Sequence, residues 1–103
     1  MNIAIIGSGS WGVALAVHLA SVGNNVKIWS FMEEERDLIN NERKCKFLPG
    51  VKLSENIMCS TDFEEVIKDS KMILHVTPSK FTRSIFKQYK EYVGNKPVII
   101  CSK

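Results

Sequence analysis

The segment Gly7-Ser8-Gly9-Ser10-Trp11-Gly12 carries the chemistry this chain can do with its backbone. A glycine turn between a strand and a helix holds phosphate: the turn brings main-chain N–H groups close to the anion, and the helix start adds free N–H groups and a partial positive charge. The three glycines have separate tasks. Gly7 permits the tight exit from the strand, Gly9 has no side chain to block a pyrophosphate, and Gly12 allows the helix to pack close to the strand. The flanks suit the motif. The apolar run Asn2-Ile3-Ala4-Ile5-Ile6 precedes the turn, and Val13-Ala14-Leu15-Ala16-Val17-His18-Leu19-Ala20 follows it. Ser10 is placed to cap the helix or to donate to a phosphate oxygen. Trp11 has two readings, a lid over a cofactor that uses its ring and its N–H, and plain packing over the sheet edge.

Other candidate side chains are fewer. The end of the second strand reads Trp29-Ser30-Phe31-Met32-Glu33. An acid there grips ribose hydroxyls, and an arginine there accommodates a 2′-phosphate. Ser30 takes the acid's place and no arginine adjoins it, so the choice between NAD and NADP stays open. Phe31 is read either as a surface for adenine or as a loop aromatic. His18 and His75 both lie among apolar residues and are expected to be core residues. No cysteine stands near either histidine at a zinc-ligand spacing, so no metal site is expected. Arg43, Lys44 and Lys46 read as a solvated face. Lys103 follows the last strand, at the edge where such sheets bind ligands, and could reach a phosphate or a developing oxyanion.

Alternating elements must position these groups. The pattern predicts strands over 2–6, 26–30, 56–59, 72–76 and 97–101. It predicts helices over 11–21, 32–41 and 62–68, and one that begins after Pro78 and ends near Gly94. The acidic start Glu33-Glu34-Glu35 suits a helix dipole. Ser60 or Thr61 is expected to cap the third helix, with Glu64 or Glu65 completing a capping box. Strands joined by helices imply right-handed crossovers and a parallel α/β sheet, doubly wound in the Rossmann manner with helices on both faces.

The 103 residues suffice for one domain, so 1–103 is expected to be a nucleotide-binding domain. A net charge of +3 suits an anionic small ligand and falls short of the dense basic surface of a nucleic-acid binder. Cys45, Cys59 and Cys101 cannot all pair, which points to a reducing, cytoplasmic compartment. The first residues lack the features of a signal peptide, and no apolar run reaches membrane-spanning length. The sequence stops directly after an apparent strand, so the expectation is one domain of a longer enzyme.

Read in order, the motifs resemble those of the NAD(P)-dependent glycerol-3-phosphate dehydrogenases of bacteria. Gly7 to Ala16 is similar to the family's N-terminal fingerprint. Phe47-Leu48-Pro49-Gly50 looks like its aromatic-Leu-Pro segment, with Val51-Lys52-Leu53 and Ile57 after it. Thr61-Asp62 looks like the start of its third crossover helix, Val76-Thr77-Pro78-Ser79 like its turn after the fourth strand, and Ser102-Lys103 like its Ser/Thr-Lys pair. The resemblance implies a Rossmann domain that holds NAD or NADP. It implies cofactor contacts at Ser10, Trp11, Phe31 and Lys103 beside the glycines, and substrate contact at Lys103. It also implies an oxidoreductase that interconverts dihydroxyacetone phosphate and sn-glycerol 3-phosphate for phospholipid synthesis, with a homodimer open to the full-length enzyme. Nucleic acid and membrane insertion are not implied. The family's proton-transferring lysine lies in a helical C-terminal domain, so no catalytic residue is expected in this segment, which should be inactive alone. Val13 departs from the family's common Thr, and Phe31 stands where His or Arg is frequent. Two other readings use the same cradle: a non-catalytic NAD-sensing module and a related hydroxy-acid dehydrogenase of the 6-phosphogluconate-dehydrogenase-like group.

Overall fold

The computed structural model describes residues 1–46 and 49–101. Five parallel strands, β1 (Asn2–Ile6), β2 (Asn25–Trp29), β3 (Ile57–Ser60), β4 (Met72–His75) and β5 (Val98–Ile100), form one sheet in the order β3-β2-β1-β4-β5. The helices are α1 (Ser10–Ser21), α2 (Glu33–Asp37), α3 (Phe63–Ile67) and α4 (Thr82–Tyr89). α2 runs into a π-helical turn, Leu38–Glu42, and 3₁₀ turns flank α4 at Ser79–Phe81 and Lys90–Tyr92. The doubly wound sheet expected from the alternation is present. Strand limits differ from expectation by one residue at most, and the ladder explains why: the Val76 amide donates to Ile6 (2.9 Å) and that of Cys101 to His75 (2.8 Å), one step beyond each strand's end.

β1 is buried on both faces, and β2 and β4 largely so, and their neighbouring residues serve different cores; Met58 of β3 and Ile99 and Ile100 of β5 are exposed. Ile3, Ile5, Val26, Ile28, Ile57 and Cys59 pack with α1 and the π turn through Val13, Ala16, Ala20 and Ile39. Ala4, Ile6, Trp29 and Ile73 pack with α3 and α4 through Val66, Ile67 and Tyr89. The second core is aromatic. Trp29 stacks on Phe63 with centroids 4.2 Å apart, and Phe63 lies 5.4 Å from the Tyr89 ring. β1 is therefore central, and the crossovers change faces on either side of it. That change leaves a crevice at the carboxyl ends of β1, β2 and β4.

Several local expectations need correction. α1 starts at Ser10, with Gly9 at the cap position, so Ser10 does not cap it and no side chain does. α3 is capped by Asp62, whose carboxylate accepts from the Glu64 amide (3.0 Å), because the helix begins later than expected. Ser60 instead accepts from the Asp62 amide (3.0 Å) and donates to Glu65 (3.2 Å). The predicted helix over 32–41 is half α and half π. The π turn ends at Arg43, in the left-handed region at φ 56°. Its extra residue sets Asn40 against β3, where the amide donates to the Cys59 carbonyl and accepts from the Cys59 N–H, both at 2.8 Å. Arg43, expected on a solvated face, donates to the Ser54 and Ile57 carbonyls. His18 lies exposed on α1 rather than in the core, because the helix's buried face is Gly12, Val13, Ala16 and Ala20.

Candidate functional site

β1 delivers its last residue, Ile6, to the middle of the crevice, where the chain turns through Gly7, Ser8 and Gly9 into α1. Gly7 sits at φ +134°, and a Cβ there would fall on the Val76 carbonyl. A Cβ on Gly12 would lie 2.6 Å from the Gly7 carbonyl oxygen. These two glycines let β1, β4 and α1 approach one another. Gly9 is different. A Cβ on it meets no heavy atom within 4 Å, and its backbone is extended at φ −70° and ψ −179°. The space that Gly9 keeps clear is outside the protein. The first intrahelical bond is Val13 N–H to the Gly9 carbonyl (3.0 Å), so the start of α1 opens onto that space without a side-chain cap. The cradle thus fits an anion.

Beside the turn lies a cleft of about 290 Å³. Its walls are the Gly7–Gly9 turn, the end of β2 from Trp29 to Met32, and the Val76-Thr77-Pro78 segment with Phe81 and Ile85. A larger hollow, of about 650 Å³, lies away from the turn between the π turn and residues 49–52. Gly50, Lys44, Lys46 and Lys52 are among its walls, but no strand end lines it. Within the cleft, Phe31 is 75% exposed and Phe81 46%, so two aromatic faces are available at its rim. Lys80 rests over the Phe81 ring, 5.0 Å from its centre.

Trp11 lies in the first turn of α1. The residue is 46% exposed, and its Nε1–H donates to the Cys101 carbonyl at 3.2 Å. That bond fixes the ring beside β5 and α1. His75, as expected, is a core residue. Its Nδ1 lies 2.6 Å from the Tyr89 hydroxyl and its Nε2 2.6 Å from the Thr77 hydroxyl. Burial lowers the His75 pKa below its usual 6.5 and pushes the Tyr89 phenol up to about 12. The pair ties α4 beneath the β4 wall of the cleft. Phe47, Leu48, Ser102 and Lys103 lie outside the described residues, so the roles expected of Lys103 do not enter the geometry.

Sequence reasoning passed over one cluster. Ser8, Ser30 and Glu35 meet at the β2 side of the cleft, with exposures of 8%, 1% and 8%. Ser8 Oγ lies 3.1 Å from each Glu35 carboxylate oxygen and from Ser30 Oγ, and Ser30 Oγ is 3.2 Å from Glu35 Oε1. Glu35 was legible only as part of an acidic first turn. The missed signal is its spacing four residues before the buried Ile39, which puts it on the inward stripe of the helix. Burial, and next the Glu35 charge, push the nearby Cys59 thiol up to about 12. Cys45, Cys59 and Cys101 are all free thiols. No described helix is long and apolar enough to cross a membrane.

A glycine turn at the switch point of a doubly wound parallel sheet, opening on a nucleoside-sized cleft, defines a Rossmann-type nucleotide-binding domain. The family model for the NAD-dependent glycerol-3-phosphate dehydrogenase N-terminus matches residues 2–103, and the chain belongs to that family. It is 40% identical over 101 residues to a glycerol-3-phosphate dehydrogenase (NAD(P)+) of Agathobacter rectalis, covering 97% of this chain and 30% of that protein. Among solved structures, the glycerol-3-phosphate dehydrogenase of Coxiella burnetii superposes with a TM-score of 0.92 at 30% identity, over 99% of this chain and 32% of that one. That of Saccharomyces cerevisiae superposes at 0.90 with 29% identity, over 100% of this chain and 33% of that one. The chain thus spans about 30% of the length of the curated relatives it matches.

Proposed function

We propose that the cleft and the glycine turn hold NAD(H) or NADP(H). In the whole protein they serve the interconversion of dihydroxyacetone phosphate and sn-glycerol 3-phosphate, which supplies glycerophospholipid synthesis. The observation that carries this reading is the clear space over Gly9, beside two glycines that tolerate no Cβ. The membership of the family and the names of the relatives agree with it. The nicotinamide, when bound, supplies or takes up the hydride.

The chain's own residues bind and orient. The Gly7–Gly9 turn and the uncapped start of α1 hold the pyrophosphate, with the Ser10 hydroxyl as an added donor. Phe31 offers a face for the adenine, and Pro78, Phe81 and Ile85 close the opposite side against water. Trp11, fixed by Cys101, bounds the site on the β5 side. Lys103 is proposed, on the family resemblance alone, for the phosphate end of cofactor or substrate.

The test is titration of the chain with NADH, read by quenching of the Trp11 and Trp29 fluorescence and by calorimetry. Gly9→Val puts its side chain where the pyrophosphate goes, in a backbone region that valine adopts freely. Binding should be lost while the melting temperature stays unchanged. NADH binding by Gly9→Val as tight as by the wild-type chain would overturn the cradle.

A further inference from the structure

Glu35 is a buried carboxylate with fewer proton donors than it can use, and it lines the cleft. An ionised carboxylate offers about four acceptor positions. Ser8 has one hydroxyl proton, which Ser30 Oγ and both Glu35 oxygens compete for. Ser30 has one, which the Met32 carbonyl also attracts, at 3.4 Å. Two protons at most serve the carboxylate. No cation makes up the difference among the described residues: neither ion pair found involves Glu35, and the adjacent Arg36 turns to Asp37 at 3.1 Å. A buried charge in that state favours any ligand that brings hydroxyl protons and repels one that brings negative charge.

We infer that Glu35 receives the hydroxyls of the cofactor's adenosine ribose and makes this cleft select NAD(H) over NADP(H). The inference rests on the dinucleotide reading above and deepens it. Dinucleotide-binding sheets commonly place an acid at the end of the second strand, and here that position is Ser30. The side chain of Glu35 returns from α2 to the same spot, and Ser8 and Ser30 hold it there. A ribose 2′,3′-diol supplies two O–H donors to it. A 2′-phosphate supplies none when fully ionised, and sets like charges face to face in a partly dry site. Phe31, at the mouth, adds no positive charge to offset that.

The experiment compares NADH and NADPH by calorimetry on the wild-type chain and on Glu35→Gln, with thermal melts of both. The wild-type chain should bind NADH about tenfold or more tighter than NADPH, the discrimination expected of facing like charges. Glu35→Gln keeps the shape and removes the charge, so the ratio should shrink by about tenfold, chiefly through tighter NADPH binding. A merely structural role for Glu35 would move the melting temperature and leave the ratio alone, and that result overturns the inference. Equal wild-type affinity for the two dinucleotides also overturns it while the cradle stands. Binding of neither overturns the cradle itself, and this inference with it. Should Glu35→Gln fail to fold, the wild-type chain still decides. Adenosine 5′-monophosphate should bind more tightly than adenosine 2′,5′-diphosphate, and the reverse order sinks the assignment.

Discussion

The two sides of the cleft are built from opposite materials. On the glycine side, backbone meets backbone, and what matters is volume that is not there: Gly7 under Val76, Gly12 against Gly7, open space over Gly9. On the β2 side, three polar side chains from three separate segments share two protons, and what matters is the donor count. The first side is set by backbone volume at Gly7 and Gly12. The second is set by a buried carboxylate and its hydroxyl partners. A phosphate is common to all such cofactors and suits a rigid backbone grip; the ribose, where the cofactors differ, is met by side chains that can vary.

Substitutions can break this contrast, and the largest effect should come from Gly7. Gly7→Ala forces a side chain into φ +134° and onto the Val76 carbonyl, so it should cost about 3 kcal/mol or more in denaturant melts. Gly12→Ala meets the Gly7 carbonyl in an ordinary helical conformation, and about 2 kcal/mol is expected, as for overpacking. Ser30→Ala on the other side should cost about 1–2 kcal/mol, because a buried carboxylate loses one of its two donors. A smaller effect tests the floor beneath both. His75 has a lowered pKa when folded, so the unfolded chain binds its proton more readily. Its contribution is therefore complete above pH 6.5 and is lost as the pH falls from there through the lower folded value. Melts of the wild-type chain against pH should show this loss, and His75→Gln should flatten it. The smallest effect belongs to Gly9→Val, whose stability should shift by no more than about 0.5 kcal/mol despite its loss of binding. A large destabilisation there would mean that Gly9, too, serves packing.

What the sequence disclosed follows the same division. The glycine turn, the strands and the alternation are written in neighbouring residues, because turn geometry and sheet periodicity are local. Trp11 was legible as a candidate for the site, but not the partner of its N–H, since Cys101 reaches it only through the sheet. Glu35 was visible as a charge and hidden as a site residue, because its partners are 27 and 5 residues away and meet it only when β1 and β2 pair. Ser60 or Thr61 was expected to cap α3, and the cap moved to Asp62 because helix starts compete among adjacent polar residues. His18 and His75 look alike in sequence. Only the orientation of α1 sends one to solvent, and only Thr77 and Tyr89 give the other its partners.

The side chains that meet β3 have a consequence for how this protein keeps its own company. A border strand normally presents unpaired N–H and carbonyl groups to any passing strand of another molecule. Here the Asn40 amide gives Cys59 the donor and acceptor that such an intruder would bring, and the Arg43 guanidinium occupies the Ile57 carbonyl. The socket is filled from within, which takes away the template that a strand of a second copy would need to pair at β3.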